Sequence, residues 1–240
     1  MRIGISTMFR RVCATLALTL AATQANAVPL SDLLQGGRIQ VGDKLFDMFT
    51  LISDVQQPIF GDPVDLSSID VTGIGDGTPG NEYGLNFDYG IQLGSENPQQ
   101  SDFFAMTFGY QVTVTQPGNQ IVGITTAGDL SATGDDAFSY VFKDAFDLLA
   151  QDILPGDLQL IADTFIVGDQ LSDSAAIAPH DAIFVVDAVQ LGYSTFGGAS
   201  VAALNSFEQR FIQVGREVPL PATLSLVLLG LLGLRRARTS

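Results

Sequence analysis

Residues 103–114 read FFAMTFGYQVTV, and residues 83–93 read YGLNFDYGIQL. In the first stretch Phe104, Met106, Phe108, Tyr110, Val112 and Val114 occupy alternate positions, opposed by Thr107, Gln111 and Thr113. In the second, Leu85, Phe87, Tyr89, Ile91 and Leu93 alternate with Asn86, Asp88, Gly90 and Gln92. Side chains along a strand point to opposite faces in turn, so a period of two marks strands with one face in a core and one in water. Outward from these windows, AIFVVDAVQLGY (182–193) and LQLIADTFIV (158–167) are more apolar and fit central strands. GRIQV (37–41), SSIDVTG (67–73), QIVGITTAG (120–128) and SFEQRFIQV (206–214) are shorter candidates. The stretches GDGTPGNEYG (75–84) and SENPQQS (95–101) read as loops.

Turn chemistry supports the same reading. Gly42, Gly61, Gly75, Gly128, Gly134, Gly156 and Gly168 are each followed by Asp. Glycine admits positive φ, and an Asp carboxylate caps the turn it sits in. Turns at such intervals between alternating runs predict an all-β fold, an antiparallel, jelly-roll-like β-sandwich. Helix is expected only in SDLLQ (31–35), capped by Ser31, while YVFKDAFDLLAQD (140–152) fits helix and strand equally well.

The ends have a different composition. The chain opens MRIGISTMFRRVCATLALTLAATQANA, with Arg2, Arg10 and Arg11 ahead of an apolar run from Val12 to Ala22. Ala25 and Ala27 then form an A-x-A site, so residues 1–27 are predicted to be a secretory signal peptide cleaved after Ala27, taken up by Sec-type export machinery. Cys13, the single cysteine, would leave with it. Residues 218–240 read VPLPATLSLVLLGLLGLRRARTS. Ala222 to Leu234 carries no charge, and at a rise of roughly 1.5 Å per residue it covers about 20 Å of a hydrocarbon core of about 30 Å. With Val218 to Pro221 it reaches a marginal span, and Arg235, Arg236 and Arg238 form a basic stop that stays on the cytoplasmic side.

That order of Val218-Pro219-Leu220-Pro221, Ala222-Thr223-Leu224, an apolar Gly/Leu helix and terminal arginines resembles a PEP-CTERM sorting signal, with Leu220 where the family usually has an acidic residue. The opening of the middle segment, LLQGGRIQVGDKLFDMF (33–49), also resembles PEP-CTERM proteins. The resemblance implies a Gram-negative bacterium making extracellular polysaccharide, and processing by an exosortase. It also implies transient anchoring in the inner membrane, followed by a place at the cell surface or in the extracellular matrix.

Between the two ends lies one domain, residues 28–217, long enough for a single sizeable core. It holds all 26 acidic residues but only Arg38, Lys44, Lys143, Arg210 and Arg216 as basic ones, a net charge near −21. Nucleic acid is excluded as a partner, because phosphate binding needs a basic footprint. Anionic polymers are repelled as well, unless divalent cations bridge them.

No catalytic constellation emerges. His180 is the only histidine, expected in an exposed loop before a strand, and no nucleophile elbow, P-loop or dinucleotide fingerprint occurs. Zinc is disfavoured for want of Cys and His ligands. No cofactor is expected; calcium is the one candidate, because it takes carboxylate oxygens from loops. Its candidate ligands are Asp76 with Asn81 and Glu82, Asp135 with Asp136, and Asp169 with Asp173. Asp as a turn former and solubiliser explains the same residues.

Two function classes follow. The first is a noncatalytic exported surface or matrix protein, sorted by its tail and associated with extracellular polysaccharide or biofilm. The second is a carbohydrate-binding module, with or without calcium. The chain has no Trp. Its aromatics are expected mostly on core-facing positions, which weighs against a sugar platform.

Overall fold

A computed structural model describes residues 27–57, 64–95, 100–134, 136–148, 152–154, 156–164, 169–195 and 198–215. The proposed leader up to Asn26 and the tail 218–240 lie outside the described residues, as does Asp135.

The chain forms two six-stranded antiparallel sheets packed face to face, the sandwich expected from the alternating windows. The strands are β1 (Val28–Pro29), β2 (Ile39–Val41), β3 (Lys44–Gln57), β4 (Asp70–Ile74), β5 (Gly84–Ser95) and β6 (Ser101–Val114). They continue as β7 (Asn119–Thr133), β8 (Ala137–Asp147), β9 (Leu158–Asp163), β10 (Ser172–His180), β11 (Ala182–Ser194) and β12 (Ser200–Gly215). Sheet A runs β1-β4-β5-β12-β7-β10, and sheet B runs β2-β3-β6-β11-β8-β9.

The predicted parities hold. On β5, Leu85, Phe87, Tyr89 and Ile91 are buried; on β6, Phe104, Met106, Phe108, Tyr110 and Val112 are buried. Their rings form a continuous aromatic layer in which Phe87 stacks on Phe207 at 4.9 Å and tilts against Phe108 at 5.4 Å. β11 is central in sheet B, as its apolarity suggested, but β9 is an edge strand. β9 packs Leu158, Leu160 and Ala162 inward, and its outer edge is closed by Ile161, which exchanges backbone hydrogen bonds with Gln170 at 2.8 and 2.9 Å.

Two local expectations are corrected, and one left open is decided. The short helix α1 (Leu30–Leu34) has Pro29, not Ser31, at its N-cap, with no side-chain cap; the Ser31 carbonyl instead accepts from Gln35 Nε2 at 3.1 Å. Gly128 lies inside β7 rather than in a turn, where a Cβ would come within 2.5 Å of Leu130 and 2.7 Å of Leu160. The ambiguous window at 140–152 is strand through Asp147. Long-range pairing with β11 and β9 decides it, supplying hydrogen bonds along both edges of β8.

Polar groups cross the core at two places. At one end the buried Lys44 ammonium on β3 meets Asp43 at 2.7 Å and Gln213 on β12, while Asn119 Nδ2 donates to Asp43 at 2.9 Å. Near the middle, the Lys143 amine of β8 touches Asp187 of β11, and Asp187 accepts from Gln209 of β12. Both clusters tie sheet B to sheet A. With no cysteine beyond Cys13, such contacts and apolar burial hold the layers together.

An aromatic row on the wet face of sheet B

The strands that bury Val141, Val189, Leu191 and Phe104 inward expose a second set of side chains outward. On β8 that set is Phe138, Tyr140, Phe142, Asp144 and Phe146, none of which is buried, and Phe142 is 36% exposed. Phe138 stacks on Tyr140 at 5.0 Å and 20°, and Tyr140 meets Phe142 at 5.6 Å and 46°. Phe103 extends the row from β6, its ring 6.3 Å from Phe138.

The strand between them makes the row possible. Register places Gly192 of β11 between Phe103 and Phe138, and a Cβ there would lie 2.6 Å from the Phe138 ring and 3.3 Å from that of Phe103. The two rings therefore lean over bare backbone. Likewise Phe184 of β11 lies over Gly109 of β6. Ala105 and Ala188 continue this small-residue floor, so the rings stand up from a shallow sheet surface.

Polar groups border the rings. Asp136 continues the outward parity of β8 past Phe138, while Gln190 pairs with Tyr140, Asp163 with Phe138 and Gln159 with Phe142 on adjoining strands. At the Phe138 end a groove of about 210 Å³ is lined by Ser101, Asp102, Phe103, Asp136, Phe138, Gly192, Tyr193 and Ser194. Its floor is fixed by the Tyr193 hydroxyl, which donates to Asp102 Oδ2 at 3.2 Å, and by Ser194 N–H, which donates to the Asp136 carbonyl at 2.7 Å. Burial, then the neighbouring Asp102 charge, pushes the Tyr193 phenol up, so this hydroxyl stays protonated at neutral pH. Farther along, burial and the Asp157 charge push the Asp144 carboxyl up. None of Arg38, Lys44, Lys143 or Arg210 occupies an outward position of β6, β8, β9 or β11.

The expectation that the aromatics are core-facing holds for β5, the inward positions of β6, and β12. It fails on β8, where successive alternate positions carry rings on the solvent side. The available signal was the double apolarity of the window at 140–152, which belongs to a strand with apolar residues on both faces.

Of the calcium candidates, Asp76, Asn81, Glu82 and Asp173 are engaged in turn and strand contacts. Asp76 Oδ1 accepts from Thr78 N–H at 3.0 Å and from its hydroxyl at 2.7 Å, Glu82 accepts from Gly80 N–H at 2.8 Å, and Asn81 accepts from Arg210 at 2.6 Å. The Thr78 bonds hold the Asp76 carboxyl below its ordinary range. Asp173 bridges the layers by accepting from Gln159 N–H at 3.0 Å and also takes Ser174 N–H at 2.7 Å; Asp169 is exposed on the approach to β10. Asp136 belongs to the aromatic groove. No three acidic, His or Cys side chains converge as a metal site among the described residues. His180 is the last residue of β10 rather than a loop residue, half-buried, with a buried Nε2 that has no hydrogen-bond partner.

No family model matches the chain, and no curated protein matches it. Among solved structures, it is similar to a carbohydrate-binding module, TmCBM27, described for mannan recognition, at 12% identity and TM-score 0.24, covering 68% of this chain and 98% of that one. It is also similar to TmCBM61, solved with β-1,4-galactotriose, at 14% identity and TM-score 0.21 over 57% and 80% of the two chains. A third likeness, at 14% identity and TM-score 0.25, is to the enzymatically active domain of tailspike protein 4 of bacteriophage CBA120; it covers 68% of this chain and 19% of that one.

Proposed function

We propose that this chain is an exported, noncatalytic glycan-binding protein that holds neutral polysaccharide on the wet face of sheet B. The observation carrying this reading is the row Phe103, Phe138, Tyr140 and Phe142, raised over Gly192 and bordered by Asp136, Gln190, Asp163 and Gln159. A pyranose presents an apolar C–H face and a rim of hydroxyls. Aromatic faces cover the first, and carboxylate, amide and hydroxyl groups satisfy the second.

Charge selects the class of polymer. The outward carboxylates Asp136, Asp144 and Asp163 stand on a domain whose net charge is near −21, and among the described residues no Lys or Arg takes an outward position of β6, β8, β9 or β11 to pair with a uronate or sulfate. A neutral glycan escapes that repulsion. The sequence of the tail supports a second element: anchoring through residues 218–240, recognition of Val218 to Pro221 by an exosortase-type enzyme, and release among extracellular polysaccharide. Among the described residues no helix is long and apolar enough to cross a membrane, and the tail lies outside them.

The test is a glycan array probed with the exported protein, with and without calcium. Retention of neutral polysaccharides, abolished by replacing Phe138, Tyr140 and Phe142 together with Ala, supports the reading. Binding to no glycan, or equal binding by the triple variant, overturns it.

A further inference from the structure

Near the middle of the sandwich an amine and a carboxyl group are held together out of reach of water. Lys143 of β8 and Asp187 of β11 are direct cross-strand partners pointing into the core. Their side chains are 1% and 0% exposed, and Nζ lies 2.6 Å from Oδ1. Gln209 donates its Nε2–H to the other carboxyl oxygen at 2.5 Å, and the Tyr110 hydroxyl fixes Gln209 by donating to its Oε1. The Phe207 ring closes the Lys143 side, 5.0 Å from Nζ.

Burial pushes the Lys143 amine down and the Asp187 carboxyl up, against the opposing pull of each on the other. Both displacements favour the neutral pair, a free amine facing a carboxylic acid. The Tyr89 hydroxyl is also buried and has no hydrogen-bond partner; burial, then the Asp187 charge, raises its phenol. A charged pair in such a place carries a desolvation cost that apolar residues would avoid. A covalent bond between the two groups removes it.

We propose that Lys143 and Asp187 condense into an intramolecular isopeptide bond that clamps β8 to β11. The Nζ lone pair attacks Cγ of the protonated Asp187, and the new C–N bond forms. Gln209 Nε2–H supports the charge that develops on Oδ2, as an oxyanion donor does. A proton passes from Nζ to Oδ1, the Cγ–Oδ1 bond breaks, and one water molecule leaves. The product amide keeps Oδ2 as its carbonyl oxygen, still accepting from Gln209. No oxidant or cofactor enters the balance. Proximity and fixed orientation of the two groups supply the rate advantage that free side chains in water lack. In an exported chain whose only cysteine is Cys13, the bond does the work of a disulfide, joining positions 44 residues apart in sequence.

The full-length chain tests this directly, because Lys143 is the only basic residue between Leu45 and Phe207 and the next is Arg210. Trypsin cannot cleave after an acylated lysine. The expected product under denaturing conditions is one peptide, residues 45–210, lighter than its sequence by one water molecule, with fragmentation placing the loss across Lys143 and Asp187. Lys143→Arg removes the nucleophilic amine while leaving a trypsin site, and should release residues 144–210 at full mass. Separate peptides 45–143 and 144–210 at full mass from the wild-type protein, with no linked species, overturn the proposal whatever the variant does.

Discussion

Replacing Phe142 with Ala removes the most exposed ring of the aromatic row, and the cost to glycan binding follows from its geometry. Phe142 is 36% exposed. Since a large aromatic side chain has on the order of 200 Å² of surface, about 70 Å² remains for a sugar face to cover. At ~25 cal/mol per Å² this is about 1.7 kcal/mol, or about a 20-fold weaker Kd. The fold should tolerate the change, because the ring stands on the wet side of β8 and the core beneath it is made by Val141, Val185 and Val189. Affinity electrophoresis in gels containing the polysaccharide picked out by the array measures the change, with circular dichroism as the control for folding. Wild-type retention by Phe142→Ala, together with wild-type retention by Phe138→Ala and Tyr140→Ala, would refute the stacking argument. Loss of retention accompanied by loss of the β spectrum would trace the effect to folding instead.

Gly192→Ala should weaken glycan binding without touching any polar group, because its new Cβ would stand 2.6 Å from the Phe138 ring and displace it; the same gels measure this. Asp144→Asn should raise Tm at neutral pH. The carboxyl is pushed up by burial and Asp157, so its ionised form opposes folding. That penalty is absent below the ordinary carboxylate range and grows as pH rises through the raised value, so the gain should vanish in acid. Mass spectrometry of the exported protein should find Val28 at its N-terminus and no LRRARTS at its C-terminus; an intact Met1 or a retained arginine cluster would contradict the export and sorting reading. Neutral replacements of Arg235, Arg236 and Arg238 should weaken membrane retention of the precursor, measured by fractionation.

Legibility in the sequence tracked how one-sided each strand is. β5 and β6 alternate cleanly because one face of each is in the core, and the alternation specifies both strand and parity. β3 escaped because its inward residues Phe46 and Phe49 are three apart. Met48 sits between them at φ +54°, and the register with β6 shifts between Asp47 and Thr50. β10 escaped for a different reason: it is an edge strand rich in Ser and Ala, most of it not buried, so no hydrophobic pattern was required of it. β8 was ambiguous because it is apolar on both faces, and that ambiguity is the site itself. Val141 and Ala145 fill the core while Tyr140 and Phe142 face solvent. The Lys143–Asp187 contact was out of reach of local reading, since it depends on β8 and β11 pairing across a long stretch of chain. The acidic balance of the domain was fully legible, and under the glycan-binding proposal it favours a neutral polymer.

On the glycan-binding proposal, the polymer sits on the outward face of β6, β11 and β8. The most direct measurement is a chemical-shift map of isotope-labelled protein titrated with an oligosaccharide of the retained polysaccharide. Shifts are expected to concentrate at Phe103, Asp136, Phe138, Tyr140, Phe142 and Gly192, with the outward positions of sheet A unmoved. Saturable shifts confined to sheet A or its loops, with the aromatic row silent, would contradict it.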